Sequence, residues 1–90
     1  MNQYIRINEK DNVAVLLYDA QAGDIIRLPG LTVTLREQVP FGHKAALRSL
    51  GKGDVIYKYG QPIGRSTREI PAGCWIHTHN CESLRGGAGE

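Results

Sequence analysis

Apolar residues come in short runs set apart by glycine and proline: Tyr4–Ile7, Val13–Leu17, Ile25–Leu28, Leu31–Leu35, Ala45–Leu47, Val55–Tyr57 and Trp75–His77. Each run has the length of a strand and falls short of the roughly ten residues that a globular helix needs. Leu31-Thr32-Val33-Thr34-Leu35 alternates apolar and polar residues, which puts Leu31, Val33 and Leu35 on one strand face. The one stretch of helical character is His43–Leu50, where Ala45, Ala46, Leu47 and Leu50 can line one side of two turns. Its flanking glycines suit a short turn or strand equally well. The pattern predicts an all-β domain whose core draws on Ile5, Ile7, Val13, Val15, Leu17, Ile25, Val33, Leu35, Val55, Ile56, Ile63, Ile70 and Ile76.

Glycine supplies the punctuation, 11 of 90 residues, as expected where many tight turns need positive φ. Ala22-Gly23, Phe41-Gly42, Lys52-Gly53 and Ala72-Gly73 each open a short apolar run. Gly23 and Gly53 stand 30 positions apart, and Gly42 and Gly73 stand 31 apart. That spacing predicts two halves related turn for turn.

Ninety residues, 41% hydrophobic and 22% charged, fit one small globular domain with one modest core. We expect it to span residues 1–82, with a flexible tail over 83–90. The net charge of +2 is weak, and one Trp and one Phe offer little for base stacking, which argues against nucleic-acid binding. The charged start lacks the apolar run of a signal peptide, and no stretch reaches the ~20 apolar residues of a membrane span. The expectation is a soluble, cytoplasmic chain in which Cys74 and Cys81 are reduced thiols.

Chemistry concentrates in three places. All three histidines fall in Gly42-His43-Lys44 and His77-Thr78-His79-Asn80. On a strand, His77 and His79 would share a face with Cα atoms ~6.5–7 Å apart, close enough to meet one metal ion or one carboxylate. A pair alone equally suits a turn cap beside a solvated ring, since a metal needs three or more ligands. Val39-Pro40-Phe41 favours a tight turn that exposes His43 as an acid or base. Lys44 there is either a carboxylate-binding or proton-accepting amine or a solvated one. Lys58-Tyr59-Gly60-Gln61-Pro62-Ile63-Gly64 reads as a hairpin with Lys58 and Tyr59 at the rim of a site. Arg48, Arg65 and Arg68 are available for carboxylates.

Four blocks together, Asn12-Val13-Ala14-Val15, Gly42-His43-Lys44-Ala45-Ala46-Leu47, Lys58 to Gly64 and Ile70-Pro71-Ala72-Gly73-Cys74-Trp75-Ile76-His77-Thr78-His79-Asn80, resemble the N-terminal SAF region of altronate and galactarate dehydratases. The resemblance runs from about Asn8 to Asn80 and extends to the small subunit of sulfolactate sulfo-lyase. It implies a β-clip fold and a lyase that removes water, or sulfite, from a small acidic sugar or other hydroxy acid. It also implies dependence on Fe2+ or Mn2+, with His43, His77 and His79 as metal or acid/base groups. Lys44 joins them as a catalytic candidate, while Asn80, Lys58, Tyr59 and Arg48 would contact substrate. Dehydratases of the family carry a much larger domain after the matched region, so a large partner subunit is implied and the isolated chain is expected to be inactive. Cys74 and Trp75 depart from the polar residues expected before the His-x-His pair. The alternative is a non-catalytic SAF module that binds a sugar acid or a protein surface, and a homo-oligomer is compatible with either reading.

Overall fold

The computed structural model describes residues 3–6 and 8–83, so Ile7 of the expected core and all of the expected tail except Ser83 lie outside it. The described residues hold nine β-strands and no helix: β1 (Tyr4–Ile5), β2 (Val13–Leu16), β3 (Ile25–Leu28), β4 (Leu31–Thr34), β5 (Lys44–Ala46), β6 (Val55–Lys58), β7 (Gln61–Ser66), β8 (Trp75–Ile76) and β9 (Cys81–Ser83). His43–Leu50 is therefore strand and turn. Among these residues no helix is long and apolar enough to cross a membrane. All pairings are antiparallel: β1-β2-β5-β8 make a four-stranded sheet, β3-β4 a hairpin and β6-β7-β9 a three-stranded sheet.

The repeat in the glycines is a repeat in the backbone. Gly23 N–H donates to Leu35 O as Gly53 N–H donates to Ser66 O, and Gly42 N–H donates to Leu16 O as Gly73 N–H donates to Ala46 O. Ala20 and Val39 exchange both backbone bonds, and so do Leu50 and Ile70. All four glycines have positive φ, from +81° to +94°. Each half thus folds as strand, hairpin, strand around its own hairpin, and β5 ends the first half and begins the second.

Strands β2 and β5, the inner pair of the four-stranded sheet, are covered on both faces by apolar side chains. Ala14, Leu16, Ala45 and Leu47 join Ile26, Val33 and Leu35 in one apolar cluster; Val13 and Ala46 join Ile56, Ile70 and Ile76 in the other. A simple period of two fails on such a strand. Leu16 is fully buried, whereas Val15 and Leu17, expected in the core, are half-buried, as are Ile5, Val55 and Ile63. On β3 the expectation is off by one residue. Ile26 pairs with Val33 and shares its buried face, which turns Ile25 outward to 41% exposure. The hairpin read at Lys58–Gly64 is present, with β7 as its return strand running on to Ser66, whereas β9 was not foreseen because it is short and polar.

The second hairpin is held from outside. At its tip Tyr59 and Gly60 both have positive φ, +58° and +75°, the requirement of a two-residue turn that matches strand twist. Buried Asp11 accepts hydrogen bonds from Tyr59 N–H at 2.9 Å and Gly60 N–H at 2.7 Å. Asn12 continues the latch: its Oδ1 accepts from Tyr57 N–H and its Nδ2 donates to Val55 O, both at 2.9 Å.

Candidate functional site

Alternation along β5 sorts the chemistry. His43, just before the strand, falls on the side of Ala45 and the first cluster, and Lys44 falls on the side of Ala46 and the second. On β8, Trp75 pairs with Ala45 and packs against the first cluster, so its indole meets the His43 ring. The ring centroids are 5.5 Å apart in an edge arrangement, and Trp75 Nε1–H donates to His43 Nδ1 at 3.2 Å.

Strand β8 stops at Ile76, so the His-x-His pair sits on a turn. Asn80 N–H donates to His77 O at 3.0 Å to close that turn. The buried Asn80 amide secures it again: Oδ1 accepts from His77 N–H at 3.0 Å and Nδ2 donates to Trp75 O at 2.8 Å. Asn80, expected to touch substrate, is thereby engaged in holding up the two histidines. His77 and His79 are exposed and both lie on Trp75: His77 stacks at 5.4 Å and 11°, and His79 tilts against it at 5.4 Å and 54°. His77 also lies 4.8 Å from His43. The three imidazoles gather around an indole, and Lys44 is not among them.

Trp75 is the residue that sequence reasoning undervalued, noting it only as an oddity before the His-x-His pair. Its backbone N–H donates to Glu37 Oε2 at 2.9 Å, which brings in a second residue with no sequence signal. Glu37 also lies by Cys74, whose thiol is pushed up first by burial and then by that carboxylate. Cys74 and Cys81 are both free thiols.

Lys44 belongs to a second group. Burial, and after it the charge of Lys58, lowers its pKa, while Cys81 acts the other way. The Cys81 thiol is raised by burial and pulled back by Lys44. Lys58 places its Nζ 4.9 Å from the centre of the exposed Tyr59 ring. Arg48 lies past the far end of β5 from His43, where with Arg6, Glu9 and Leu31 it lines a separate open cleft. The expected site residues thus occupy three places: the histidines with Asn80, Lys44 with Lys58 and Tyr59, and Arg48 apart from both.

Among the described residues, no three His, Cys, Asp or Glu side chains are placed to hold a metal ion. The donors present do not by themselves fit Fe2+ or Mn2+. What the histidine face offers is an exposed pair of imidazoles and a third one bonded to a partly buried indole, a surface suited to hydrogen bonding and proton exchange with an oxygen-rich anion.

Residues 2–84 match the family described as the altronate/galactarate dehydratase SAF domain. Over 78 residues the chain is 47% identical to the altronate dehydratase of Escherichia coli strain K12, covering 87% of this chain and 16% of that protein. It is 38% identical over 73 residues to the galactarate dehydratase (L-threo-forming) of the same strain, covering 81% of this chain and 14% of that protein. With the (2R)-sulfolactate sulfo-lyase subunit alpha of Paracoccus pantotrophus it shares 40% identity over 53 residues, 59% of this chain and 79% of that subunit. The chain therefore spans about one sixth of the length of the curated dehydratases it matches.

Proposed function

The chain belongs to the SAF-domain family of altronate and galactarate dehydratases, and from that premise we propose that it is the small subunit or N-terminal domain of a sugar-acid dehydratase. In this reading a large partner chain completes the active site, and the assembled enzyme eliminates water from a hydroxylated acid in the cytoplasm. The observation that carries the proposal is the gathering of His43, His77 and His79 on Trp75 within the matched region.

Elimination beside a carboxylate needs a base for the α-proton, support for the enolate-like charge and help for the departing hydroxyl. His77 and His79, exposed on a turn fixed by Asn80, are placed to exchange a proton with a ligand or to offer a lone pair to an ion. Lys44 and Lys58 form the positive side of the other face and supply a second attraction for an acidic ligand or an acidic partner surface. We assign the Fe2+ or Mn2+ of the family resemblance to the junction with the large chain, which would add the donors lacking here.

A second reading has one specific observation in its favour. The match covers 79% of a protein named (2R)-sulfolactate sulfo-lyase subunit alpha, so a part in sulfite elimination as one component of a lyase is the alternative. The test is to combine the chain with the large dehydratase-type polypeptide from the same source and assay altronate, galactarate and (2R)-sulfolactate with Fe2+ or Mn2+. Turnover by the mixture but by neither part alone is expected. No complex and no turnover of any of the three acids would overturn the lyase assignment.

A further inference from the structure

A hydrogen bond to one imidazole nitrogen decides where the ring proton sits. The indole N–H is a donor and has no lone pair to offer. With Trp75 Nε1 3.2 Å from His43 Nδ1, Nδ1 is the acceptor and the proton of neutral His43 is on Nε2. Trp75 has little freedom to turn away. Its backbone N–H donates to Glu37 Oε2, its backbone carbonyl oxygen accepts from Asn80 Nδ2, and its ring is stacked with His77 and packed on the first apolar cluster.

A histidine that ligates a metal through one nitrogen donates the other N–H to a carboxylate, carbonyl or water. His43 has the reverse arrangement: a donor stands at Nδ1, and Nε2 carries the proton. Neither nitrogen of the neutral ring then presents a free lone pair to a cation. We propose that Trp75 is a positioning residue that locks His43 as the Nε2–H tautomer, so that His43 donates a hydrogen bond to a ligand oxygen and does not ligate a metal. The identity of that ligand as a hydroxy acid rests on the dehydratase reading; the tautomer does not. A fixed N–H dipole aimed at a carboxylate or hydroxyl oxygen needs no reorganisation when charge grows there. Any metal donors from this face then fall to His77 and His79, whose turn position leaves them exposed.

Two-bond nitrogen–proton correlation spectra of the 15N-labelled chain read the tautomer directly. Wild-type His43 is expected to show a protonated Nε2 and an unprotonated Nδ1, and Trp75→Phe, which keeps a ring but removes the donor, is expected to give a mixture of the two tautomers. A wild-type His43 protonated on Nδ1 would overturn the proposal. Titration of the wild-type chain with Zn2+ gives a second reading that does not depend on the variant's folding. A coordination shift at either His43 nitrogen would overturn the proposal, and shifts confined to His77 and His79 would support it. On the complete enzyme, a galactarate complex is expected to move the His43 Nε2–H signal, and a complex in which that signal stays unmoved removes the donor role. The tautomer and Zn2+ readings involve no turnover, so they can fail while the dehydratase assignment stands, and the reverse.

Discussion

His43 and Lys44 are neighbours in the chain and lie on opposite sides of the four-stranded sheet, one beside Trp75 and the first apolar cluster, the other on the side of Ala46 and the second. A motif that reads as one catalytic unit is divided by the pleat of a strand. The histidine face and the lysine face are therefore expected to respond separately to substitution.

Lys44 is held below the ordinary lysine value of 10.5, first by burial and then by the charge of Lys58. The folded chain thus gives up this proton at a lower pH than the unfolded chain does. Between those two values the unfolded state binds more protons, so stability rises with pH across that window. Below the folded value the buried ammonium costs stability in full. Lys44→Met is expected to raise the urea midpoint at about pH 7 and to flatten the gain that the wild type shows on going to about pH 9.5. Equal midpoints at neutral pH would count against this account of Lys44.

On the histidine face, His77→Ala removes the ring that stacks on Trp75 and meets His43 at 4.8 Å. If that ring takes part in proton transfer, turnover of the assembled enzyme falls by about 10²-fold or more. The complex itself stays assembled, as read by size-exclusion chromatography. Thr78→Ala, on the same turn between the two imidazoles, serves as the control and should leave turnover within about twofold of wild type, as for an exposed residue outside the hydrogen-bond scheme. Unchanged turnover in His77→Ala would favour the binding-module view.

The pseudo-repeat sets up a matched pair of glycine substitutions. Gly42 and Gly73 hold the same place in the two halves, with φ of +81° and +89°. A Cβ at Gly42 meets open space, so Gly42→Ala suffers only the backbone strain, about 1–3 kcal/mol. A Cβ at Gly73 would collide with the carbonyl oxygen of Thr34 and press on Arg36 Cγ at 3.3 Å. Gly73→Ala is expected to lose clearly more stability than Gly42→Ala in thermal or urea unfolding, and similar losses would show that the halves pack alike.

What could be read from the sequence, and what could not, follows the same physics. The strand Leu31–Thr34 and the turn glycines were plain because each shows in residue type alone: alternation in one case, the need for positive φ in the other. Ile25 and Ile26 could not be told apart, because the choice is made by cross-strand register with Val33, a partner that sequence does not name. Val15 and Leu16 were exchanged for a related reason, since a strand covered on both faces has no polar side to mark its phase. The histidine cluster was visible as a composition anomaly. Its organiser, Trp75, was not, because an indole in an apolar run looks the same whether it fills a core or aims its N–H at an imidazole.

Asp11 offers the sharpest test of how the second hairpin is held, since no strand pairing does what its carboxylate does. It is 2% exposed and accepts from the amides of Tyr59 and Gly60, the two residues that must adopt positive φ. It also accepts from Asn8 N–H at 3.3 Å. Asp11→Ala would leave these donors without their acceptor near a buried site, at a cost of about 1–3 kcal/mol for each group that water does not reach. The total is less than a simple sum, because the hairpin tip can open toward solvent. Asp11→Asn keeps one carbonyl oxygen and sets an amide against the second N–H, so its loss should be nearly as large, although its volume is unchanged. Faster hydrogen exchange is expected at Tyr59 and Gly60, while Arg27 N–H, which donates to Tyr4 Oη on the first hairpin, exchanges as before. Glu9→Ala, an exposed carboxylate two residues away, should stay within about 0.5 kcal/mol of wild type. If Asp11→Ala were equally silent, the hairpin would have to be held by its own pairing with β9, and the latch from Asp11 would carry no weight in the fold.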